Sequence, residues 1–218
     1  MYIHEHMTPD PITISSEIFL PEARLMLNEY DFRHLPVVDG ENRLIGIITD
    51  RDLRSAYPSS ITGKSERMLI YGQVEKTKVG DIMTTSCSTL RLDATIDDAL
   101  LIFDRDKVGG IPVVTAQEVV VGMFSMRDLT AAYRKLFGVE DKGSLLLTIT
   151  DDGRDNIMSE LVVLLEENSI SLTRLIRLNQ GREDAKIYMI VNTLKPGLVR
   201  KILTKNGFYL FAPQRHSI

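Results

Sequence analysis

Apolar positions along the chain alternate between two periods. A short extended segment, Ile12 to Ile14, is followed by Ala23, Met26 and Leu27, whose spacings of three and four put one stripe on one helical face. Two apolar runs, "LPVVD" and "LIGIIT", then flank the turn "DGENR" and read as a pair of strands. A helix opens at Leu53. The same succession returns from Thr89: an extended segment to Leu92, a helix carrying Ala99, Ile102 and Phe103, strands "IPVVT" and "VVGMFS" around "AQEV", and a helix from Leu129. Each copy predicts the order strand-helix-strand-strand-helix.

The two copies sit at one offset. Met7-Thr8 falls on Met83-Thr84, Ala23 on Ala99, Leu35–Val38 on Ile111–Val114, and "GIITDRD" (Gly46 to Asp52) on "GMFSMRD" (Gly122 to Asp128), each 76 residues apart without a gap. This is an internal duplication. One unit of roughly 60 residues buries too little surface to stand alone, so two should pack together. The copies are not identical: His34 is matched by Gly110, and Asp50 by Met126.

Between the repeats, residues 57–79 begin with a Ser/Gly/Pro-rich stretch expected to form a loop and end in a segment expected to form a short helix. After Gly143 the pattern changes. "SLLLTITDD" alternates as a strand, and Ile157, Leu161, Leu164 and Leu165 form a helical stripe. "ISLTRLIRL" and "AKIYMIVN" are strands around "NQGRED". Leu198, Ile202 and Leu203 mark another helix with Gly207 at its C-terminal cap, and "FYLFA" is a final strand. The order βαββαβ is ferredoxin-like. The reading is an α+β chain with a first repeat at 1–57, a linker at 58–76, a second repeat at 77–137, a joint near Glu140 and a C-terminal domain at 143–218.

Composition narrows the function classes. The 218 residues are 44% hydrophobic and 26% charged, proportions of a soluble globular protein. Apolar runs such as "LVVLL" are too short to span a bilayer, and no membrane partner is expected. A net charge of −4 argues against a nucleic-acid partner. The single cysteine, Cys87, excludes an intramolecular disulfide, and "MYIHEHMTPD" lacks the features of a secretory signal, so a cytoplasmic location is expected. His4 and His6 form an H-x-H pair without a third nearby ligand, so no metal site is expected. No Ser-His-Asp order, GxGxxG or P-loop occurs, and no catalytic residue is expected. Asp93, Asp97 and Asp98 crowd a helix start, where the dipole favours them.

The informative corner is the hydroxyl-x-x-carboxylate at each strand-to-helix junction. Read locally, Asp52 and Asp128 are helix N-caps. The motifs "HLPVVD", "GIITDRD", "GIPVV" and "GMFSMRD" together resemble a tandem CBS pair (a Bateman module) over roughly residues 1 to 137. The tail is similar in element order to an ACT domain, a small-ligand regulatory module. The combination resembles bacterial acetoin-utilisation B-type proteins.

The CBS resemblance implies an adenine nucleotide (AMP, ADP or ATP) or S-adenosylmethionine as regulatory ligand in the cleft between the repeats. Asp52 and Asp128 would each accept two ribose hydroxyls, and Thr49 and Ser125 would donate to ribose or phosphate oxygens. Helix N-terminal amides would face phosphate. Arg33, His34, Arg51 and Arg127 are candidate phosphate contacts or, alternatively, solvated surface groups. The base would lie against Ile12-Thr13 and Ser88-Thr89. The differences at 34/110 and 50/126 imply inequivalent sites. In the tail, "DDGRDN" has Gly153 but lacks the proline of the ACT turn. Asp152, Gly153 and Arg154 are its candidate amino-acid loop; the alternative is dimerisation through sheet edges. A homodimer is expected. Three function classes stand open: a ligand-sensing regulator of an unknown protein, an enzyme with an unrecognised site, and an oligomerisation scaffold whose corners are plain caps.

Overall fold

The alternating apolar runs around "DGENR" and "AQEV" become the central hairpins of the first unit. The computed structural model describes residues 1–139, 141–182 and 184–211. Glu140 at the expected joint, Ala212 of the expected last strand and His216 lie outside the described residues. The chain divides into two units, Met1–Ala132 and Tyr133–Ile218.

In the first unit, β1 (Thr8–Pro9) precedes a repeat built from β2 (Ile14–Ser15), α1 (Leu20–Glu29), β3 (His34–Val38), β4 (Leu44–Thr49) and α2 (Asp50–Ala56). Then come α3 (Lys64–Val74) and the second repeat, β5 (Leu90–Arg91), α4 (Ile96–Asp106), β6 (Gly110–Val114), β7 (Val120–Ser125) and α5 (Met126–Phe137), whose last turn lies in the second unit. The hairpins β3–β4 and β6–β7 share their register, including an irregularity at Val37/Val38 and Val113/Val114. Ala23, Leu27, Leu35, Val37, Ile48 and Leu53 are buried in one repeat and Ala99, Phe103, Ile111, Val113, Phe124 and Leu129 in the other. Met26 and Ile102 are half-buried. The linker holds a longer helix than expected, because Val74 buries against the first repeat's core and anchors α3.

The segment leading into each repeat crosses to the other. β1 pairs with β7 through Thr8 and Met123, and Thr84 bridges Ile47, the equivalent pair under the 76-residue offset. Tyr2 with Thr95 and Phe19 with Lys78 obey the same rule. At the centre Arg43 faces Val119; the Leu44 N–H donates to the Glu118 carbonyl (2.9 Å) and the Val120 N–H to the Asn42 carbonyl (3.0 Å). The unit therefore has an approximate two-fold axis, and each repeat covers the edge strand that the other would expose. Gly46 is required at this crossing: a Cβ there would lie 2.7 Å from Met83 Sδ, and Gly122 meets Met7 in the same way.

The second unit contains β8 (Ser144–Thr150), α6 (Ile157–Glu167), β9 (Ser171–Leu178), β10 (Lys186–Asn192) and α7 (Pro196–Lys205). The sheet order is β8-β10-β9, and a bridge from Leu210 to Ile149 adds the final segment on the free edge of β8. That is the strand order of a split-βαβ, ferredoxin-like sheet. Ile157, Leu161 and Leu165 of α6 and Val199 and Leu203 of α7 fill its core. Leu198, expected on the buried stripe, is 50% exposed, because the α7 stripe runs through Val199 instead. Gly207 (φ +81°) ends α7: its N–H donates to the Thr204 carbonyl and the Phe208 N–H to Leu203, a Schellman cap. No helix among the described residues is long and apolar enough to cross a membrane.

Candidate functional site

The two corners are capping boxes. β4 runs extended to Thr49 (φ −120°, ψ 161°), which is the N-cap of α2. The Asp52 N–H donates to Thr49 Oγ1 (3.3 Å), while the Thr49 N–H (2.8 Å) and Oγ1 (2.7 Å) donate to Asp52 Oδ2. Ser125 and Asp128 repeat this at 2.7, 2.7 and 3.3 Å. The carboxylates are thus not the N-caps expected from sequence: the hydroxyl caps and the carboxylate, one turn in, closes the box. All these bonds use Oδ2, and Oδ1 of Asp52 and of Asp128 accepts no hydrogen bond from the described residues.

A third box supplies a comparison inside the molecule. Thr95 and Asp98 at the start of α4 make the same three bonds at 2.8, 2.7 and 3.2 Å. Their box lines neither of the clefts described next.

Each of the first two boxes opens on a cleft. Thr49 and Asp52 line one of 660 Å³ together with Arg51, Ser88, Asp106 and Lys107. Ser125 and Asp128 line one of 490 Å³ with Arg127, Ile12, Tyr30 and Phe32. The crossing of the lead-in segments explains this pairing: each corner faces the segment that enters the opposite repeat. Thr13 and Thr89 are not among the lining residues. Arg33, Arg51 and Arg127 make no side-chain hydrogen bond or ion pair with the described residues, so their guanidinium groups are available to an anion.

Arg33 and His34 line both clefts, and their two-fold equivalents are Gly109 and Gly110. The His34 ring lies on that glycine backbone: a Cβ on Gly109 would stand 3.1 Å from Nε2, and one on Gly110 3.0 Å from Nδ1. A second histidine at 110 would claim the same space. Burial, reinforced by the Arg33 charge and opposed by Asp52, holds His34 below its ordinary pKa. The dividing wall is therefore a neutral imidazole at neutral pH.

In the first cleft Ser88 Oγ donates to Asp106, which also accepts two bonds from Arg105 at 2.7 and 2.8 Å. Those arginine bonds, then Ser88, hold the Asp106 carboxyl well below the usual carboxylate range. Burial pushes the Cys87 thiol up, so it lines this cleft in its protonated form.

In the second unit, Gly153 has φ +85°, but its N–H donates to Asp151 Oδ1 (3.0 Å) instead of standing free for a ligand. Asp152 and Glu160 both hold Arg154, which lies over the Phe208 ring. The organising residue of this loop is Asp151, whose fully shielded side chain takes two bonds from Arg177 at 2.5 and 2.9 Å. The guanidinium keeps Asp151 below its ordinary pKa. Only the first of two adjacent acids just past an apolar strand marked it in the sequence. Among the described residues, no three His, Cys, Asp or Glu side chains are grouped to hold a metal ion.

Comparison with known proteins agrees with the fold of the first unit. The family model described as CBS domain matches residues 3–59 and 79–135, just over half of the chain. A curated relative, inosine-5′-monophosphate dehydrogenase from Methanocaldococcus jannaschii, is 27% identical over 169 residues; the match covers 77% of this chain and 31% of that enzyme. A CBS domain pair crystallised with 5′-methylthioadenosine and S-adenosyl-L-methionine superposes with a TM-score of 0.52 at 26% identity, covering 62% of this chain and 97% of that one. A Vibrio cholerae structure described as an acetoin utilization protein (AcuB) has a TM-score of 0.53 at 24% identity, covering 65% and 96%, a likeness of fold.

Proposed function

Since the chain belongs to the CBS-domain family, we propose that it is a regulatory sensor that binds adenosine-type ligands, adenine nucleotides above all, in the two clefts of its CBS pair. One observation carries this reading. The Thr49–Asp52 and Ser125–Asp128 boxes each line a cleft, leave Oδ1 of their carboxylate without a hydrogen bond from the described residues, and share that cleft with an arginine that has no side-chain partner among them, whereas the Thr95–Asp98 box caps its helix and lines neither cleft. An open carboxylate oxygen accepts ribose hydroxyls, and the arginines answer a phosphate. The related pair that holds 5′-methylthioadenosine and S-adenosyl-L-methionine supports the adenosine class. We read the role as regulatory, since the match to inosine-5′-monophosphate dehydrogenase rests on CBS domains and spans 31% of that enzyme.

The second unit is read as an ACT-like module that binds a small ligand such as an amino acid, or joins two chains along the edge of its sheet. A homodimer follows from that edge and is checked by light scattering. The expected setting is the cytoplasm, with acetoin utilisation as the candidate pathway and another protein as the regulated partner.

A thermal-shift panel of AMP, ADP, ATP, S-adenosylmethionine and amino acids tests the reading. A ligand at a hundred times its dissociation constant stabilises by about 2.7 kcal/mol, a rise of roughly 5–11 °C for a chain of this size. No shift with any adenosine ligand sinks it and favours the scaffold, which the completed capping boxes also fit.

A further inference from the structure

The duplication lets each position of one cleft act as a control for the other. Resting on the adenosine reading above, we propose that the clefts take chemically different ligands: the Asp52 cleft a phosphorylated nucleotide, and the Asp128 cleft an adenosine derivative whose 5′ arm is uncharged and apolar.

Lys107 and Asp31 are two-fold equivalents. Both follow a helix with left-handed backbone, φ 54° and 52°, and each lines one cleft. An ammonium on the first rim is therefore a carboxylate on the second. Asp50 and Asp106 also line the first cleft, but Arg54 neutralises one and Arg105 the other. Both clefts have their ribose carboxylate and share Arg33. What remains is Arg51 with Lys107, itself paired with the exposed Asp104, on the first side, a net positive rim, and Arg127 with Asp31 on the second, a neutral one.

Apolar surface changes in the opposite sense. Where the first cleft has Asp106, Val108 and Asp50, the second has Tyr30, Phe32 and Met126, which are 48, 38 and 43% exposed. Tyr30 and Phe32 stack with centroids 5.6 Å apart. Large apolar side chains gathered in solvent around one cleft mark a surface that a ligand covers. A phosphate in this cleft would lose water against these side chains and meet Arg127 only with the opposing Asp31 carboxylate on the same rim, whereas a thioether or alkyl arm buries them.

Calorimetric titration of the full chain with AMP and with 5′-methylthioadenosine tests the division. In Asp52→Asn, AMP affinity falls about tenfold or more and that of methylthioadenosine changes little; Asp128→Asn does the reverse. Asp31→Lys, which restores the charge of the first rim, raises AMP stoichiometry from one per chain to two. If both ligands follow the same carboxylate, the division is overturned and the adenosine reading stands. If the parent binds neither, both are overturned.

Discussion

Gly110→Ala should destabilise the protein through one contact. A Cβ at this position lies 3.0 Å from Nδ1 and 3.1 Å from Cγ of His34, and 3.2 Å from Met123 Cε. Relaxed heavy-atom contacts lie near 3.5–4.0 Å, so the ring must retreat by about half an ångström or more. Overpacking a buried site costs about 1–3 kcal/mol. The Met123 methyl yields easily, but the ring also rests on Gly109, whose added Cβ would be 3.1 Å from Nε2, so its retreat is limited. The expected cost is about 1–2 kcal/mol, a melting-point loss of roughly 2–8 °C. A double-mutant cycle with His34→Ala isolates the cause. With the ring gone, Gly110→Ala becomes neutral or slightly stabilising, because the strand backbone suits alanine. A cost that persists unchanged in the His34→Ala background refutes the contact as the origin of the asymmetry between the repeats.

Three further outcomes are expected. His34, held below its ordinary value of about 6.5 by burial, contributes stability above that pH that is lost as pH falls through its lowered value; melting curves from about pH 8 to 5 should show this slope in the parent and not in His34→Ala. Thr95→Ala should lower the melting point by about 2–4 °C, a lost cap of about 1 kcal/mol, and leave adenosine-ligand affinity unchanged, whereas Thr49→Ala should lower both; equal effects on affinity would remove the distinction between the boxes. Arg177→Met should strip the shielded Asp151 carboxylate of its partner. Asp151 is held low in the parent and so stabilises above the ordinary carboxylate pKa of about 4, losing that contribution as pH falls, and the melting deficit of the variant should therefore be larger at about pH 7 than at pH 3.5; a deficit independent of pH contradicts the ion pair's role.

Much of the fold is legible in the sequence, because duplication and periodicity are properties of the chain itself. The 76-residue offset places Ala23 with Ala99 and Leu35 with Ile111, and every one of these is buried. The tail's strand and helix periods likewise give its element order. Partnering is less legible. Nothing in "HMTPD" says that Thr8 will pair with Met123 instead of its own repeat, because edge pairing depends on which strand is left open in three dimensions. Without that crossing, the sequence does not assign Ser88 to the Asp52 corner and Ile12 to the Asp128 corner. The capping roles reversed for a local reason: how far the extended backbone runs decides whether hydroxyl or carboxylate becomes the N-cap, and it runs to Thr49. Leu198 misled because two adjacent leucine and valine positions fit one stripe equally well, and packing chose Val199. Asp151 gave no periodic signal, since its partner Arg177 is on another strand.

The most direct test of ligand binding at these corners is a crystal structure of the chain grown with a saturating adenosine ligand. The ribose 2′ and 3′ hydroxyls should donate to Oδ1 of Asp52 or Asp128 at about 2.5–3.0 Å, with the Thr49–Asp52 and Ser125–Asp128 boxes intact. A ligand seated away from both carboxylates, or clefts without ligand at saturation, would contradict the claim that these capping boxes are ribose sites.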